Sequence, residues 1–404
     1  MPGEQALVVG LGLTGRAAAL ALAARGWTVK ATDRRADADA GRLAEAGVEV
    51  LLGTQEEDLL QDVDVVVKSP GVPGEAPPMA AARARKIPVW SELELGWRLL
   101  PGNPIVGVTG TKGKTTTVRL LGAIFDAAGR SAVLAGNEHT PLSEVALSVE
   151  PGTWIVCEVS SFALEDVHEF RCDVAVLLNL EPDHLDRHAD FESYRAAKLR
   201  IFERAATKIV PAGSGLDGIE FSADDPLPAE PLLPGRHNRE NAAAAVAAAR
   251  AAGLEDAAIA QALKTFAGLP HRLETVRELH GVRYVNDSKA TNVAAAVRAL
   301  ETYAGEPVHV ILGGSSKGED FAPLAAAIGP NVRSVHLIGV EAARIAEVVD
   351  GHVDGALERA VEHAGSLAHP GEIVLLSPAC ASYDQFRNFE ERGDAFRRLV
   401  EGLP

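Results

Sequence analysis

The chain has 404 residues, of which 47% are hydrophobic, and a net charge of −17. That length allows two to four domains with sizeable cores, while the acidic balance disfavours nucleic acid and anionic membrane surfaces as general partners and still permits a local cationic pocket. No apolar run is long enough to span a bilayer, the start Met1-Pro-Gly-Glu-Gln lacks the basic region of a signal peptide, and Cys157, Cys172 and Cys380 fall at no metal-binding spacing; reduced thiols in a cytoplasmic protein are expected.

The first elements read strand, loop, helix, strand: Ala6–Val9, Gly10-Leu-Gly-Leu-Thr-Gly15, Arg16–Arg25, and Trp27–Thr32 ending at Asp33. This is the G-x-G-x-x-G dinucleotide fingerprint with its acidic residue about 20 positions on. Alone it suggests a dehydrogenase. A full dinucleotide fold needs on the order of 150 residues, however, and a second phosphate loop begins at Gly107. The first domain is therefore expected to hold one nucleotide diphosphate group. After the strand Val63–Lys68, Ser69-Pro-Gly71 forms either a plain turn or another strand-end ligand loop.

The second segment starts near Glu92. Pro104-Ile-Val predicts a buried strand and Val118–Phe125 has helical spacing. Between them lies Gly107-Val-Thr-Gly-Thr-Lys-Gly-Lys-Thr-Thr-Thr117. Position 108 is Val, so this is a shorter variant of the Walker loop, G-T-x-G-K-T-T. Glycines let the backbone approach a ligand, the helix start offers N–H groups to an anion, Lys114 reaches terminal phosphates and the Thr115 hydroxyl suits a magnesium ion. Ala135-Gly-Asn137 reads as a turn. Trp154–Glu158 reads as a strand ending in a carboxylate, which beside a P-loop either holds metal or is merely solvated. Val174–Asn179 is another buried strand, leading into Glu181-Pro-Asp-His-Leu-Asp-Arg-His188. There His184 can bind a metal, bond a phosphate or cap a helix; zinc spacing is absent. Tyr194–Lys198 lies on a helix. Gly235–Asn241 opens an Ala-rich helix, with Asn238 either its cap or a reader of an adenine edge.

The third segment begins near Leu269. Val282–Val285, Val308–Leu312, Ser334–Gly339 and Ile373–Leu376 read as strands with helices between them, a second doubly wound unit. Its polar motifs follow strands: Asn286–Asn292, Gly313–Gly318 and Ser377–Phe386. Ser382 is expected at a helix start, where its hydroxyl and nearby N–H groups suit an anion.

These motifs together resemble the Mur ligase family along almost the whole chain. The shared signature is Gly110-Thr-x-Gly-Lys-Thr-Thr116, Glu158-x-Ser-Ser, Asp183-His184, His237-Asn238-x-x-Asn241 and His271-Arg272-x-Glu274. Folylpolyglutamate synthetases have much of it. Asn286-Asp-Ser-Lys-Ala-Thr-Asn292, Ser377-Pro-Ala-Cys-Ala-Ser-x-Asp-x-Phe-x-x-Phe389-x-x-Arg-Gly393 and Gly10–Gly15 look like the D-glutamate-adding branch, and the Asp-Asn-Pro-Arg motif of diaminopimelate- or lysine-adding relatives does not occur. Two departures stand out. Ala163 replaces the usual Gln, and Glu138-His139 replaces the usual Ile-Gly; the resemblance places both at the muramoyl-alanine end of the substrate.

The resemblance implies an α/β fold of three domains: a Rossmann-like UDP-binding domain over 1–92, a central P-loop ATPase domain with a mainly parallel sheet over 93–268, and a Rossmann-like amino-acid-binding domain over 269–404. It implies ligation of D-glutamate to UDP-N-acetylmuramoyl-L-alanine through an acyl phosphate, with ATP and two magnesium ions, manganese substituting. It further implies a cytoplasmic monomer with no nucleic acid partner and no membrane insertion. By the same resemblance Gly110, Thr111, Lys112, Gly113, Lys114, Thr115 and Thr116 cradle the phosphates. Asn238 and Asn241 meet the adenine, Arg272 the γ-phosphate, and Asp287 and Lys289 the ATP side. Thr115 and Glu158 hold one metal; Glu158, His184 and a carbamylated Lys198 hold the other. Leu13, Thr14, Asp33, Arg34 and Ser69 face UDP, Asn137 the muramoyl group, and Thr291, Lys317, Ser382 and Phe389 D-glutamate. Two other readings compete. A nicotinamide dehydrogenase explains only Gly10–Asp33, and a nucleotide-dependent switch explains the P-loop but not the carboxylate-pocket motifs.

Overall fold

The structure, a computed structural model, describes residues 3–54, 57–184, 187–316 and 318–404. Three sheets organise it. The first contains β1 (Gln5–Val9), β2 (Thr28–Asp33), β3 (Glu49–Leu52), β4 (Val65–Lys68) and β5 (Val89–Ser91), all parallel, in the order β3-β2-β1-β4-β5. The second contains β6 (Ile105–Thr109), β7 (Ala132–Gly136), β8 (Trp154–Glu158), β9 (Val174–Leu177), β10 (Thr207–Pro211) and β11 (Ile219–Phe221), again parallel, in the order β11-β10-β9-β6-β8-β7. The third contains β12 (Glu274–Leu279), β13 (Val282–Asn286), β14 (Val308–Gly313), β15 (Val332–Ile338), β16 (His352–Gly355) and β17 (Ile373–Leu376), in the order β12-β13-β17-β14-β15-β16. Among the described residues only β12 runs antiparallel to its neighbouring strand.

The central strands are covered on both faces and so read as unbroken apolar runs: every residue of β4, β6, β9, β14 and β17 is buried. The chain forms two compact units, 1–232 with 236–266 and 233–235 with 267–404. In the first unit, the helix Lys114–Ala127 and the Ala-rich helix Arg236–Ala251 share one core on the second sheet, with Ala242–Ala245 buried against Leu121, Ile124 and Phe125. Alanines there let two helices approach closely over the sheet.

Buried charges fasten the first sheet to the second within this unit. Lys68, fully buried at the end of β4, pairs with Glu165 at 2.8 Å and Asp166 at 3.1 Å. Glu94, also fully buried, accepts the backbone N–H groups of His168, Glu169 and Phe170 at 2.9–3.1 Å and the Arg98 Nε at 2.7 Å. Those bonds satisfy the buried Phe170 N–H and neutralise a carboxylate held in the interior.

Three readings change. Ala132–Gly136 is a strand, so the turn falls only after Gly136. The first helix starts at Leu13, not Arg16, because Gly12 is the extended cap residue and Gly15 lies inside the first turn. The helix beyond β17 starts at Phe389, capped by Asn388, whose Oδ1 accepts from Glu391 N at 2.8 Å. Ser382 therefore lies in the preceding loop and not at a helix N-terminus.

Candidate active site

The strand order of the first sheet puts a crevice where β1 and β4 lie side by side and their connections leave in opposite directions, the place where open α/β sheets bind ligands. Gly10 and Ser69 are the residues that follow those two strands, and the Ser69 hydroxyl donates to Gly10 O at 2.7 Å. A Cβ on Gly15 would lie 1.8 Å from Gly10 O, so only glycine lets the helix pack this tightly on the loop. Asp33 at the end of β2 accepts Leu11 N at 2.8 Å and Arg35 N at 3.0 Å. Burial would raise its carboxyl, but these N–H groups and Arg35 outweigh burial and hold it below the ordinary range.

A cleft of about 850 Å³ opens over this loop. Its walls include Leu13, Thr14, Asp33, Arg34, Ser69 and Asn137, so one cavity brings together every residue expected at the UDP and muramoyl groups. Leu13 is 62% exposed, an apolar surface left bare for a ligand. Arg187 lies over the Phe162 ring at 4.6 Å and donates to the carbonyls of Pro70, Gly71 and Val72 at 3.3 Å, fixing the turn after β4. The cleft continues to Glu158, and both departures, Ala163 and His139, lie on its wall.

At the far end stands the phosphate loop. It follows β6, whose neighbours β8 and β9 end in Glu158 and lead to Asn179; register pairs Val108 with Glu158 and Thr109 with Leu177. The Asn179 amide clamps the loop, accepting from Lys112 N at 2.9 Å and donating to Lys112 O at 3.1 Å. Below it, Tyr194 OH meets the Thr111 hydroxyl at 2.9 Å. Gly113 caps the helix at φ +85°, and a Cβ there would strike Asn241 Oδ1 at 2.1 Å. Asn241 is thus seated against the loop, and Asn238 is buried one turn earlier on the same helix. Lys112 points to the surface and pairs with Glu181. Thr115 and Thr116 stand in the first turn of the helix, Thr116 buried.

Two ammonium groups meet on one carbonyl. Lys114 Nζ donates to Gly110 O at 2.9 Å and Thr111 O at 3.0 Å, and Lys198 Nζ donates to the same Gly110 O at 2.9 Å. Lys198 is 2% exposed; burial, then the Lys114 charge, pulls its amine down to about 7. Burial likewise raises the Glu158 carboxyl, with Lys114 and the Thr115 hydroxyl pulling the other way. Glu158 Oε1 accepts Asn137 Nδ2 at 3.4 Å, while Oε2 is buried with no hydrogen-bond partner among the described residues. His139 Nε2 lies 3.7 Å from Oε2. His184, at φ +55°, pairs with Asp183 and packs on the Phe162 and Tyr194 rings, with no hydrogen bond to Glu158 or Lys198 among the described residues.

The other expected residues belong to the second unit. Arg272 is exposed, between His271 and Leu273, both in the left-handed region at φ +63° and +45°. Such strain in non-glycine residues is held only where surroundings enforce it; His271 O accepts Lys289 N at 2.9 Å, and Leu273 N donates to Asp287 at 3.2 Å. Asp287 is buried and also accepts the Ser377 hydroxyl at 2.8 Å. Lys289 Nζ lies 5.6 Å from the Phe389 ring centre, and Thr291 N donates to Lys289 O at 2.8 Å. Ser382 Oγ is buried without a hydrogen-bond partner among the described residues. Lys317 lies outside the described residues. The buried Arg392, on the helix Phe389–Glu401, ties two loops together, donating to Ser288 Oγ and O at 2.9 Å in one and to Cys380 O at 3.0 Å and Ala381 O at 3.2 Å in the other.

Sequence reading missed Asn179 and Arg187, and for His139 it missed the approach to Glu158. Asn179 and Arg187 were legible as polar residues directly after a buried strand and inside a ligand-rich segment. The approach of His139 to Glu158 depends on the pairing of β7 with β8, which local sequence does not show.

Family models match along the chain: the Mur ligase MurD-like N-terminal domain over residues 4–91, the Mur ligase middle domain over 108–215, and the Mur ligase glutamate ligase domain over 271–380. A UDP-N-acetylmuramoylalanine–D-glutamate ligase of Anaeromyxobacter dehalogenans is 43% identical, covering 99% of this chain and 98% of its own. One of Myxococcus xanthus is 40% identical, covering 100% and 99%. Among solved structures, a UDP-N-acetylmuramate–alanine ligase of Thermotoga maritima matches at TM-score 0.57 and 18% identity over 98% of each chain. A bifunctional folylpolyglutamate synthase/dihydrofolate synthase of Yersinia pestis, complexed with AMPPNP and Mn, matches at TM-score 0.54 and 20% identity over 76% of this chain and 92% of that one. At these identities the structural likenesses speak for the fold.

Proposed function

The chain belongs to the Mur ligase family, and on that premise we propose that it joins D-glutamate to UDP-N-acetylmuramoyl-L-alanine in an ATP-dependent reaction of peptidoglycan precursor synthesis. The observation that carries the proposal is the convergence of Lys114 and Lys198 on Gly110 O, within electrostatic reach of Glu158 on the cleft wall, in a chain matched end to end by ligases of that name. We assign the three domains to 1–92, 93–268 and 269–404, acting in the cytoplasm as a monomer.

A carboxylate is a poor acyl donor because its oxygen leaves badly. In the proposed reaction the alanyl carboxylate attacks the γ-phosphorus, ADP departs and an acyl phosphate forms. The D-glutamate amine then attacks the carbonyl carbon, loses a proton and expels phosphate. The site must gather several anions, so fixed cations and N–H donors are the main catalytic means. Lys114 and the N–H groups of Gly110–Thr116 neutralise the phosphates, with Arg272 at the γ-phosphate. Asn238 and Asn241 hold the adenine, and Asp287 and Lys289 complete the ATP set. The cleft residues Leu13, Thr14, Asp33, Arg34, Ser69 and Asn137 hold the UDP-muramoyl substrate. Thr291, Lys317, Ser382 and Phe389 receive D-glutamate, whose second carboxylate suits the Ser382 hydroxyl, buried without a hydrogen-bond partner among the described residues.

A divalent cation fits this donor set. Glu158 presents a buried oxygen with no hydrogen-bond partner among the described residues, and the Thr115 hydroxyl bonds the carboxylate; hard oxygens of this kind suit magnesium or manganese. Thr115 and Glu158 would hold one ion, and Glu158, His184 and Lys198 a second, which would supply positive charge to the phosphates and the reacting carboxylate. Lys198 would serve as a carbamate. Its amine is held near neutrality by burial and by Lys114, so the unprotonated nitrogen that adds to carbon dioxide is available. The ammonium loses one proton to give the free amine, and addition of carbon dioxide releases a second, so a cation beside Lys114 becomes an anion bearing two oxygens.

The test is phosphate release from ATP with UDP-N-acetylmuramoyl-L-alanine across the D- and L-amino acids. D-Glutamate alone should drive stoichiometric release; release with L-lysine or diaminopimelate instead would move the chain to another branch, and NADH binding without release would revive the dehydrogenase.

A further inference from the structure

Five of the twelve histidines gather on the outer half of the third sheet and the elements beside it, away from every motif above. His336 on β15 is fully buried, and its Nδ1 lies 2.7 Å from Asp354 Oδ2 on β16. His363, on the helix Leu357–Leu367, places its Nδ1 2.8 Å from the other oxygen, Asp354 Oδ1. Ligating atoms of these three side chains lie within 4.8 Å of one another, the one such convergence among the described residues. The exposed His352 packs its ring 4.6 Å from that of His363.

On its other edge His336 begins a polar row. Its Nε2 is 2.8 Å from Ser334 Oγ, which is 2.7 Å from His309 Nδ1, and His309 Nε2 is 2.9 Å from Glu372 Oε2. Carboxylates only accept, and a neutral imidazole has one N–H. Asp354 therefore takes the proton of His336 on Nδ1, and Glu372 takes that of His309 on Nε2. Both remaining ring nitrogens are then bare acceptors facing Ser334, whose hydroxyl has a single proton. One of those two short contacts would set lone pair against lone pair. The row lacks one positive equivalent. A cation in place of the proton on His336 Nδ1 repairs it: His336 then carries hydrogen on Nε2 and donates to Ser334, Ser334 donates to His309, and His309 donates to Glu372. Every polar atom is satisfied and no imidazole is charged. Metal-bound histidines characteristically donate their second N–H in this way.

We propose that His336 Nδ1, His363 Nδ1 and the Asp354 carboxylate form a binding site for a zinc-like transition-metal dication, with water or His352 in the fourth position. The ligand set is two nitrogens and an oxygen, unlike the hard-oxygen site at the phosphate loop. With zinc bonds of about 2.0–2.2 Å, tetrahedral donors stand about 3.3 Å apart, so the present contacts open by roughly half an ångström. The site would tie the edge strand β16 to β15 and to the helix that follows, stabilising this unit through binding.

The test uses the full chain without added affinity histidines, in excess Mg²⁺ to fill the oxygen sites. Calorimetry should show one equivalent of Zn²⁺ bound, and Co²⁺ should develop the visible absorption of a tetrahedral site. Both signals should fall by about a hundredfold or more in affinity in His363→Ala and Asp354→Asn, and Ser334→Ala, which touches no metal, should weaken binding by about 10–100-fold. All three variants should retain ATP-dependent phosphate release, which checks that they fold. Zn²⁺ affinity unchanged by His363→Ala and Asp354→Asn would overturn the site. So would absence of Zn²⁺ binding together with nitrogen NMR showing a doubly protonated His309 or His336, since the row would then hold a proton instead.

Discussion

Replacing Asp287 by Asn isolates a buried charge at the proposed ATP set. Burial pushes this carboxyl from its ordinary 3.8 up to about 7, against the Ser377 hydroxyl, the Leu273 N–H and the charges of Arg272 and Arg298. The folded chain thus keeps a proton that the unfolded chain releases above its ordinary value. Stability from this group is full below pH about 4, is lost as pH rises through about 7, and is level above. Each pH unit in that window is worth about 1.4 kcal/mol, so the whole loss is at most about 4 kcal/mol. Asparagine reproduces the neutral acid: its oxygen accepts from Leu273 N and its amide donates to Ser377 Oγ, the two partners seen now. Urea unfolding of both chains at pH about 4.5 and about 8 reads the difference, in which all other titrating groups cancel. Because pH about 4.5 already lies inside the window, the variant should gain up to about 3 kcal/mol on the parent between those pH values. Parallel profiles for the two chains would refute the reasoning.

Lys114→Ala removes the one loop cation bonded to Gly110 and Thr111; kcat should fall by about 10²–10³ or more with folding kept, and near-normal turnover would remove the loop from the mechanism. Lys198→Arg should be inactive, because it keeps the cation and cannot form the carbamate, whereas Lys198→Ala should regain some turnover with added acetate; an active Arg variant would defeat the carbamate. Gly15→Ala drives a Cβ to 1.8 Å from Gly10 O, so the loop must shift; KM for the UDP substrate should rise far more than KM for ATP, and equal changes would contradict the cleft assignment. Glu94→Ala removes the acceptor of three N–H groups, that of Phe170 buried and those of His168 and Glu169 partly so, and the buried one alone costs roughly 1–3 kcal/mol; chemical denaturation showing a loss under about 1 kcal/mol would refute that role.

The elements that sequence reading placed well are those with a single local cause. β8 was found at both ends, Trp154 and Glu158, because an apolar run meets a charge there. Both glycine loops were legible because their spacing is local. What escaped depends on partners distant in sequence. β7, with only Ala135 buried, and β16, with no residue buried, are edge strands without an apolar run. Ser382 was set at a helix start by its position after Pro378, while the usable signal, Asn388 three residues before Glu391, lay further on. His139 reaches Glu158 only because β7 pairs with β8. The cluster at His336, Asp354 and His363 follows no ligand spacing, since two strands and a helix bring it together.

The central claim is ATP-dependent activation of the alanyl carboxylate for attack by D-glutamate. Its most direct test labels that carboxylate of UDP-N-acetylmuramoyl-L-alanine with ¹⁸O and follows phosphate and product by mass spectrometry in the presence of ATP and D-glutamate. The account predicts a product heavier by one glutamyl residue and one ¹⁸O atom carried into each phosphate released. Phosphate free of label, or no glutamyl product, would contradict it.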